Sequence, residues 1–211
     1  MAHANDTAGA ALAVGILIFD DVEVLDFCGP FEVFSVAARI TEGEPPAFTV
    51  FTVAERAGLV SARGGLRVQP DYTIADHPPI DLLVVPGGWG TRREVNNATL
   101  IAWIARVTAG ARLTTSVCTG AFLLAKAGLL AGHAATTHWQ SLDRLAASYP
   151  DIAVRRETRW VDEGAVVTSA GISAGIDMSL HIVERLLGRE RAEATARHME
   201  YVWQDAGQDA G

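Results

Sequence analysis

Cys118 stands where a thiol could act as a nucleophile. It follows the apolar run Arg112 to Val117 (RLTTSV) and precedes a helical run from Thr119 to Ala127, so it falls on the sharp turn from a buried strand into a helix. A thiol there projects from the sheet and faces helix N-terminal amides, whose N–H groups and dipole favour the thiolate. Gly120 removes a side chain where that helix and its strand come closest. A small buried cysteine with no chemistry is the alternative. Asp26, in Val22-Glu23-Val24-Leu25-Asp26-Phe27, puts a carboxylate among apolar neighbours. Desolvation there raises its pKa and lets it hold a proton that it can later give up. The same residue also suits an N-cap for a helix following Gly29-Pro30.

Two further segments carry candidate groups. Gly87-Gly88-Trp89-Gly90 lacks the G-x-G-x-x-G spacing of a dinucleotide loop. The amides of Gly87 and Gly88 can stabilise a developing negative charge, or the glycines can simply serve a tight turn. In Thr136-Thr137-His138-Trp139, His138 could orient or deprotonate Cys118. Equally, Thr137 could cap a helix continuing to Ser148, with His138 in its first turn. His77, His133, His181 and His198 show no ligand spacing with cysteine or acid, so no metal site is expected.

These groups need a scaffold. Short continuous apolar runs at Val14 to Phe19, Phe48 to Val53, Asp81 to Val85, Arg112 to Val117 and Ala165 to Ser169 read as strands buried on both faces of a parallel sheet. A Gly64-Gly65 pair suggests a hairpin between Leu59 and Val68, and Val154 to Val161 suggests a second antiparallel pair. Helical patterns cover Phe31 to Ile40, Thr91 to Thr108, Thr119 to Ala127 with Gly128 as its stop, Ser173 to Leu187 and Arg189 to Trp203. Strands alternating with helices imply a doubly wound α/β sheet. Ligands bind beyond the carboxyl ends of such strands. Asp26, Gly87-Gly88 and Cys118 all lie there, and they converge if their strands are neighbours.

The 211 residues suit one domain, expected over 13–205 behind a tail at 1–12, and 49% hydrophobic residues suffice for its core. A formal net charge of −8 argues against nucleic acid as a partner. No apolar run is long enough for a membrane span, and the first residues lack a secretory signal. Two cysteines in such a chain imply free thiols and a cytoplasmic location.

The segments Thr114 to Leu130 (TTSVCTGAFLLAKAGLL), Gly15 to Pro30 (GILIFDDVEVLDFCGP), Val85 to Gly90 (VPGGWG) and Ser169 to Asp177 (SAGISAGID), with Ala135 to Trp139, resemble the ThiJ/PfpI superfamily from Val14 to Trp203. The resemblance implies a flavodoxin-like, mostly parallel sheet sandwiched between helices, as in class I glutamine amidotransferases, and a homodimer. The apolar faces of Phe31 to Ile40 and the terminal helix are candidates for its interface. Thr119 stands where family proteases carry histidine, and the motifs around Asp26, Cys118 and His138 are most similar to the isonitrile (isocyanide) hydratases. That implies a small isocyanide as substrate, no cofactor, and Cys118 as nucleophile, with Asp26 and Thr119 assisting and the Ile172 amide bonded to the sulfur. Cys28 departs from the threonine usual in those enzymes. Other readings are the sensor domain of an AraC-type regulator, a Cys118–His138 glyoxalase, deglycase or peptidase, and an oxidation sensor. Sensor domains of that type continue into a helix-turn-helix region, and the end of the chain at Gly211 favours an enzyme.

Overall fold

The computed structural model describes residues 11–40, 43, 45–205 and 208–209; most of the expected tail lies outside them. The five apolar runs become β1 (Leu12–Leu17), β2 (Phe48–Ala54), and later β6 (Leu82–Val85), β7 (Leu113–Val117) and β11 (Val166–Ser169). They pair in parallel in the order β2-β1-β6-β7-β11. Numbered by chain order these five strands read 2-1-3-4-5, the flavodoxin-like arrangement with its switch point between β1 and β6. The strands preceding Asp26, Gly87 and Cys118 are therefore neighbours, as the convergence requires.

Short strands extend the sheet at both ends. β5 (Tyr72–Thr73) adds to β2, while β10 (Trp160–Asp162) runs antiparallel to β11. The backbone of β12 (Gln208–Asp209) pairs with β10. The expected hairpin is present as β3 (Val60–Ser61) and β4 (Arg67–Val68), closed by Gly64 and Gly65 at φ 80° and 87°. The second expected antiparallel pair is not formed. β9 (Ala153–Val154) pairs instead in parallel with β8 (Ala134–Ala135), and Val161 joins the main sheet through β10.

One helical layer holds α1 (Val24–Ala38), α6 (Ala174–Leu187) and α7 (Arg189–His198); α2 (Thr91–Glu94), α3 (Ala98–Thr108) and α4 (Ala121–Lys126) pack together elsewhere on the sheet. α1 begins seven residues before the expected start and carries Pro30 inside it. The proline removes one amide, the one that would bond the Asp26 carbonyl, while Phe27, Val33, Phe34 and Ala37 are buried. Those apolar residues and Ala192 and Ala196 of α7 pack within the chain, while Phe31, Met199 and Trp203 are only partly buried. The expected helix over 91–108 is two helices. Asn97 leaves the helical conformation and its side chain accepts the Leu100 N–H at 3.3 Å, starting α3 anew. Gly128, at φ 79°, ends α4 as expected.

Candidate functional site

Cys118 closes β7 and opens a single 3-10 turn, Cys118–Gly120, that leads into α4. Its φ is 56°, a left-handed conformation that few residues other than glycine adopt. Two bonds hold the strained elbow. The Cys118 N–H donates to the Ala170 carbonyl at 3.2 Å, and the Thr137 hydroxyl donates to the Cys118 carbonyl at 2.7 Å. The turn is also crowded: a Cβ on Gly120 would lie 2.1 Å from the Val85 carbonyl oxygen. Gly120→Ala is therefore expected to destabilise the fold by roughly 1–3 kcal/mol, because backbone rather than a yielding side chain must move. Urea unfolding checks this, and an unchanged midpoint would show that the elbow is loose.

Asp26 lies in the first turn of α1 and is 0% exposed. It does not cap that helix. Glu23 occupies the N-cap, and its side chain pairs instead with Arg63 at 2.8 Å. The Asp26 Oδ2 accepts the Gly87 N–H at 2.9 Å, while Oδ1 is buried without a hydrogen-bond partner among the described residues. Burial outweighs that one N–H and, with the charge of Glu23, pushes the Asp26 pKa up to about 7. Cys118 is near enough that each group shifts the other's ionisation.

The thiol behaves differently from the sequence expectation. Burial first, and the Asp26 charge second, push the Cys118 pKa up to about 12. The amide and hydroxyl of Thr119 pull the other way and are outweighed. Cys118 is 5% exposed and lines a pocket with the Asp26 carboxyl beside it.

Gly87 and Gly88 position the other groups. The Gly87 N–H is engaged by Asp26, and the Gly88 N–H donates to the Thr119 Oγ1 at 3.0 Å. Both amides are thus occupied rather than turned to a developing anion. A Cβ on Gly87 would fall 2.5 Å from the Thr119 nitrogen and 3.0 Å from the Asp26 Oδ2, so glycine here lets acid, elbow and loop meet. Thr91, which sequence reasoning missed, places its hydroxyl 3.0 Å from the Thr119 Oγ1 and 2.7 Å from the Gly88 carbonyl. Thr119 is therefore a held residue of the site.

His138 lines the same pocket but makes no pair with Cys118. Among the described residues, the contact of its Nδ1 is with the Gln140 N–H, which it accepts at 3.3 Å as the cap of a 3-10 turn. Burial lowers its pKa, keeping the ring neutral at pH 7. Ile172 also lines the pocket, at φ 57°, and the Thr119 amide lies near enough to the sulfur to favour its ionised form. The pocket has a volume of about 540 Å³, with Cys118 and Thr119 joined by Glu23, Trp89, Arg92 and Arg144. Those two arginines carried no sequence signal, being ordinary charged positions on different helices. Among the described residues no group of three or more His, Cys, Asp or Glu side chains is placed to hold a metal ion, and no helix is long and apolar enough to cross a membrane. Cys28 and Cys118 are both free thiols.

Comparison with known proteins places this geometry among relatives. The isonitrile hydratase of Pseudomonas putida is 35% identical over 192 residues, covering 90% of this chain and 79% of that protein. The HTH-type transcriptional regulator GbdR of Pseudomonas aeruginosa is 30% identical over 90% of this chain, which spans 50% of the regulator's length. The crystal structure of a ThiJ/PfpI family protein from Pseudomonas syringae superposes with a TM-score of 0.81 at 31% identity, covering 92% of this chain and 76% of that one. A family match over residues 13–185 runs from β1 into α6 and takes in every strand that carries the site, so the chain belongs to the DJ-1/PfpI family.

Proposed function

We propose that this protein hydrates isocyanides, R–N≡C, to N-substituted formamides. One observation carries the reading: the buried Asp26 carboxyl, held by the Gly87 N–H at 2.9 Å, stands beside the buried Cys118 thiol, close enough that each shifts the other's ionisation. An isocyanide reacts at a single atom. Its terminal carbon must receive both the nucleophile and a proton, so acid and nucleophile have to converge on one point. Ionised Asp26 takes the thiol proton as the sulfur attacks that carbon. Asp26 then returns the proton to the same carbon, leaving a thioimidate, R–N=CH–S–Cys118, on the enzyme. Water adds to this carbon, its second proton passing to nitrogen. The C–S bond breaks, the thiol regains its proton, and R–NH–CHO leaves. Splitting the hydration in this way replaces one difficult step by two easier ones. The similarity to isonitrile hydratase supports the assignment.

Peptide or glyoxal chemistry fits less well. Those reactions place negative charge on a carbonyl oxygen, and here the Gly87 and Gly88 amides are engaged while no bond joins Cys118 to His138. A second reading follows from the regulator similarity: the same pocket would bind a ligand without turning it over. We place the protein in the cytoplasm, where its two thiols stay reduced. The test is to incubate purified protein with a small isocyanide, following loss of the N≡C stretch by infrared and appearance of the formamide by chromatography. Catalytic formamide production is expected. Binding without turnover would favour the ligand-sensing reading, and turnover of methylglyoxal or peptides with isocyanide untouched would overturn the assignment.

A further inference from the structure

The pocket over Cys118 is cationic in an acidic protein. The chain's formal net charge is −8, yet the pocket wall carries Arg63, Arg92 and Arg144 against one carboxylate, Glu23. Arg63 is neutralised by Glu23 at 2.8 Å, and the Asp26 carboxyl lies buried beneath, beside the sulfur. Arg92 and Arg144 are left over. Their acidic neighbours in sequence are engaged elsewhere, Glu94 with Arg93 at 2.8 Å and Asp143 with Arg156 at 2.5 Å. Among the described residues, neither guanidinium has an ion-pair partner. Each lies instead on an aromatic ring, Arg92 4.1 Å above Trp89 and Arg144 4.1 Å above Phe122. Stacking fixes the planes of the two forks and leaves their N–H edges without an acceptor. The two cations also feel each other, since partial burial and then the charge of Arg92 lower the Arg144 pKa. Two like charges held at one pocket wall without a counterion are relieved by a bound anion.

We infer that Arg92 and Arg144 form a subsite for a substrate carboxylate, so that the isocyanides this protein takes are isocyano carboxylates. The electrophile in this statement rests on the proposed function; the carboxylate does not. Two planar forks suit the planar, two-oxygen carboxylate, and the pocket volume of about 540 Å³ accommodates a small molecule spanning subsite and sulfur.

Alkylation of Cys118 tests the subsite without any hydratase activity. Iodoacetate and iodoacetamide are nearly equal in size and differ in charge, and the ratio of their rates cancels the thiolate fraction. Quantified at the Cys118 peptide by mass spectrometry, the iodoacetate to iodoacetamide ratio is expected to be about tenfold higher in the wild type than in Arg92→Gln/Arg144→Gln, with intermediate ratios in the single variants. Thermal unfolding confirms that these exposed substitutions leave the fold intact. An unchanged ratio overturns the subsite. Acetate is expected to suppress the iodoacetate preference, and suppression by inorganic phosphate alone would overturn the carboxylate assignment. In parallel, kcat/KM for isocyanoacetate over its methyl ester is expected to fall about tenfold in the double variant. Isocyanide turnover with neither ratio altered by the substitutions would leave the hydratase reading standing and remove the subsite. An altered alkylation ratio with no isocyanide consumed would do the reverse.

Discussion

Cys118→Ala is expected to lower formamide production by a factor on the order of 10⁴ or more, leaving only what binding and neighbouring dipoles contribute. No other group can replace the sulfur. His138 is turned to Gln140, and Cys28, half-buried on α1 with its thiol pKa raised by burial, does not line the pocket. A serine at 118 should be nearly as poor, because Asp26 is too weak a base for a hydroxyl. Alanine also keeps a residue at φ 56° with its Cβ, so the elbow strain stays and the loss reports chemistry rather than refolding. Steady-state formamide assays alongside urea unfolding separate the two. Retained hydration in Cys118→Ala would end the thioimidate scheme.

Asp26→Asn should produce opposite effects on reactivity and turnover. Turnover is expected to fall by a factor of about 10²–10⁴, the usual contribution of a positioned acid and base. The thiol should at the same time become more reactive towards iodoacetamide, because the charge that opposed its ionisation is gone while burial remains. A variant that alkylates faster and catalyses worse assigns Asp26 to proton delivery; parallel loss of both would mean that the pocket had collapsed. In the wild type kcat/KM should rise with pH through about 7, where Asp26 ionises and can accept the thiol proton, the value belonging to the coupled pair.

Stability runs the other way. The folded Asp26 pKa lies near 7 against 3.8 for the free group, so the folded state holds this proton more tightly than the unfolded chain. Its contribution is fully present below 3.8 and is lost as pH rises to about 7. Asparagine removes that penalty. Asp26→Asn should therefore be more stable than the wild type at pH 8 by up to about 4 kcal/mol, with a smaller gap at pH 5. Urea unfolding at the two pH values gives the comparison.

The parallel centre of the fold was legible because strands buried on both faces are written as unbroken apolar runs, as in DLLVV before Pro86. β9 and β10 were not, since two or three residues carry no period and their partners lie far along the chain. Pro30 hid the first two turns of α1, because the usual reading of proline as a helix start ignores what packing against α6 can offset. Cys118 and Asp26 were found from type and position, but the sign of the thiol shift was not. Local reasoning saw a helix N-terminus; it could not see a site 5% exposed with a carboxylate packed beside it. The roles of Gly87, Thr91 and Thr137 are tertiary hydrogen bonds, invisible before the strands are brought together.

The elbow draws its parts from the ends of β1, β6, β7 and β11, segments separated widely in the chain and joined only when the sheet closes. Until then Cys118 is an ordinary thiol, accessible and with no carboxylate at its side. Closure buries the sulfur and sets Asp26 beside it, so a reagent reaches Cys118 of the native molecule only through the pocket, whereas in an incomplete one it meets a free thiol. A preference between iodoacetate and iodoacetamide should therefore belong to finished copies alone, and its disappearance as urea is added would report how far the elbow has come apart.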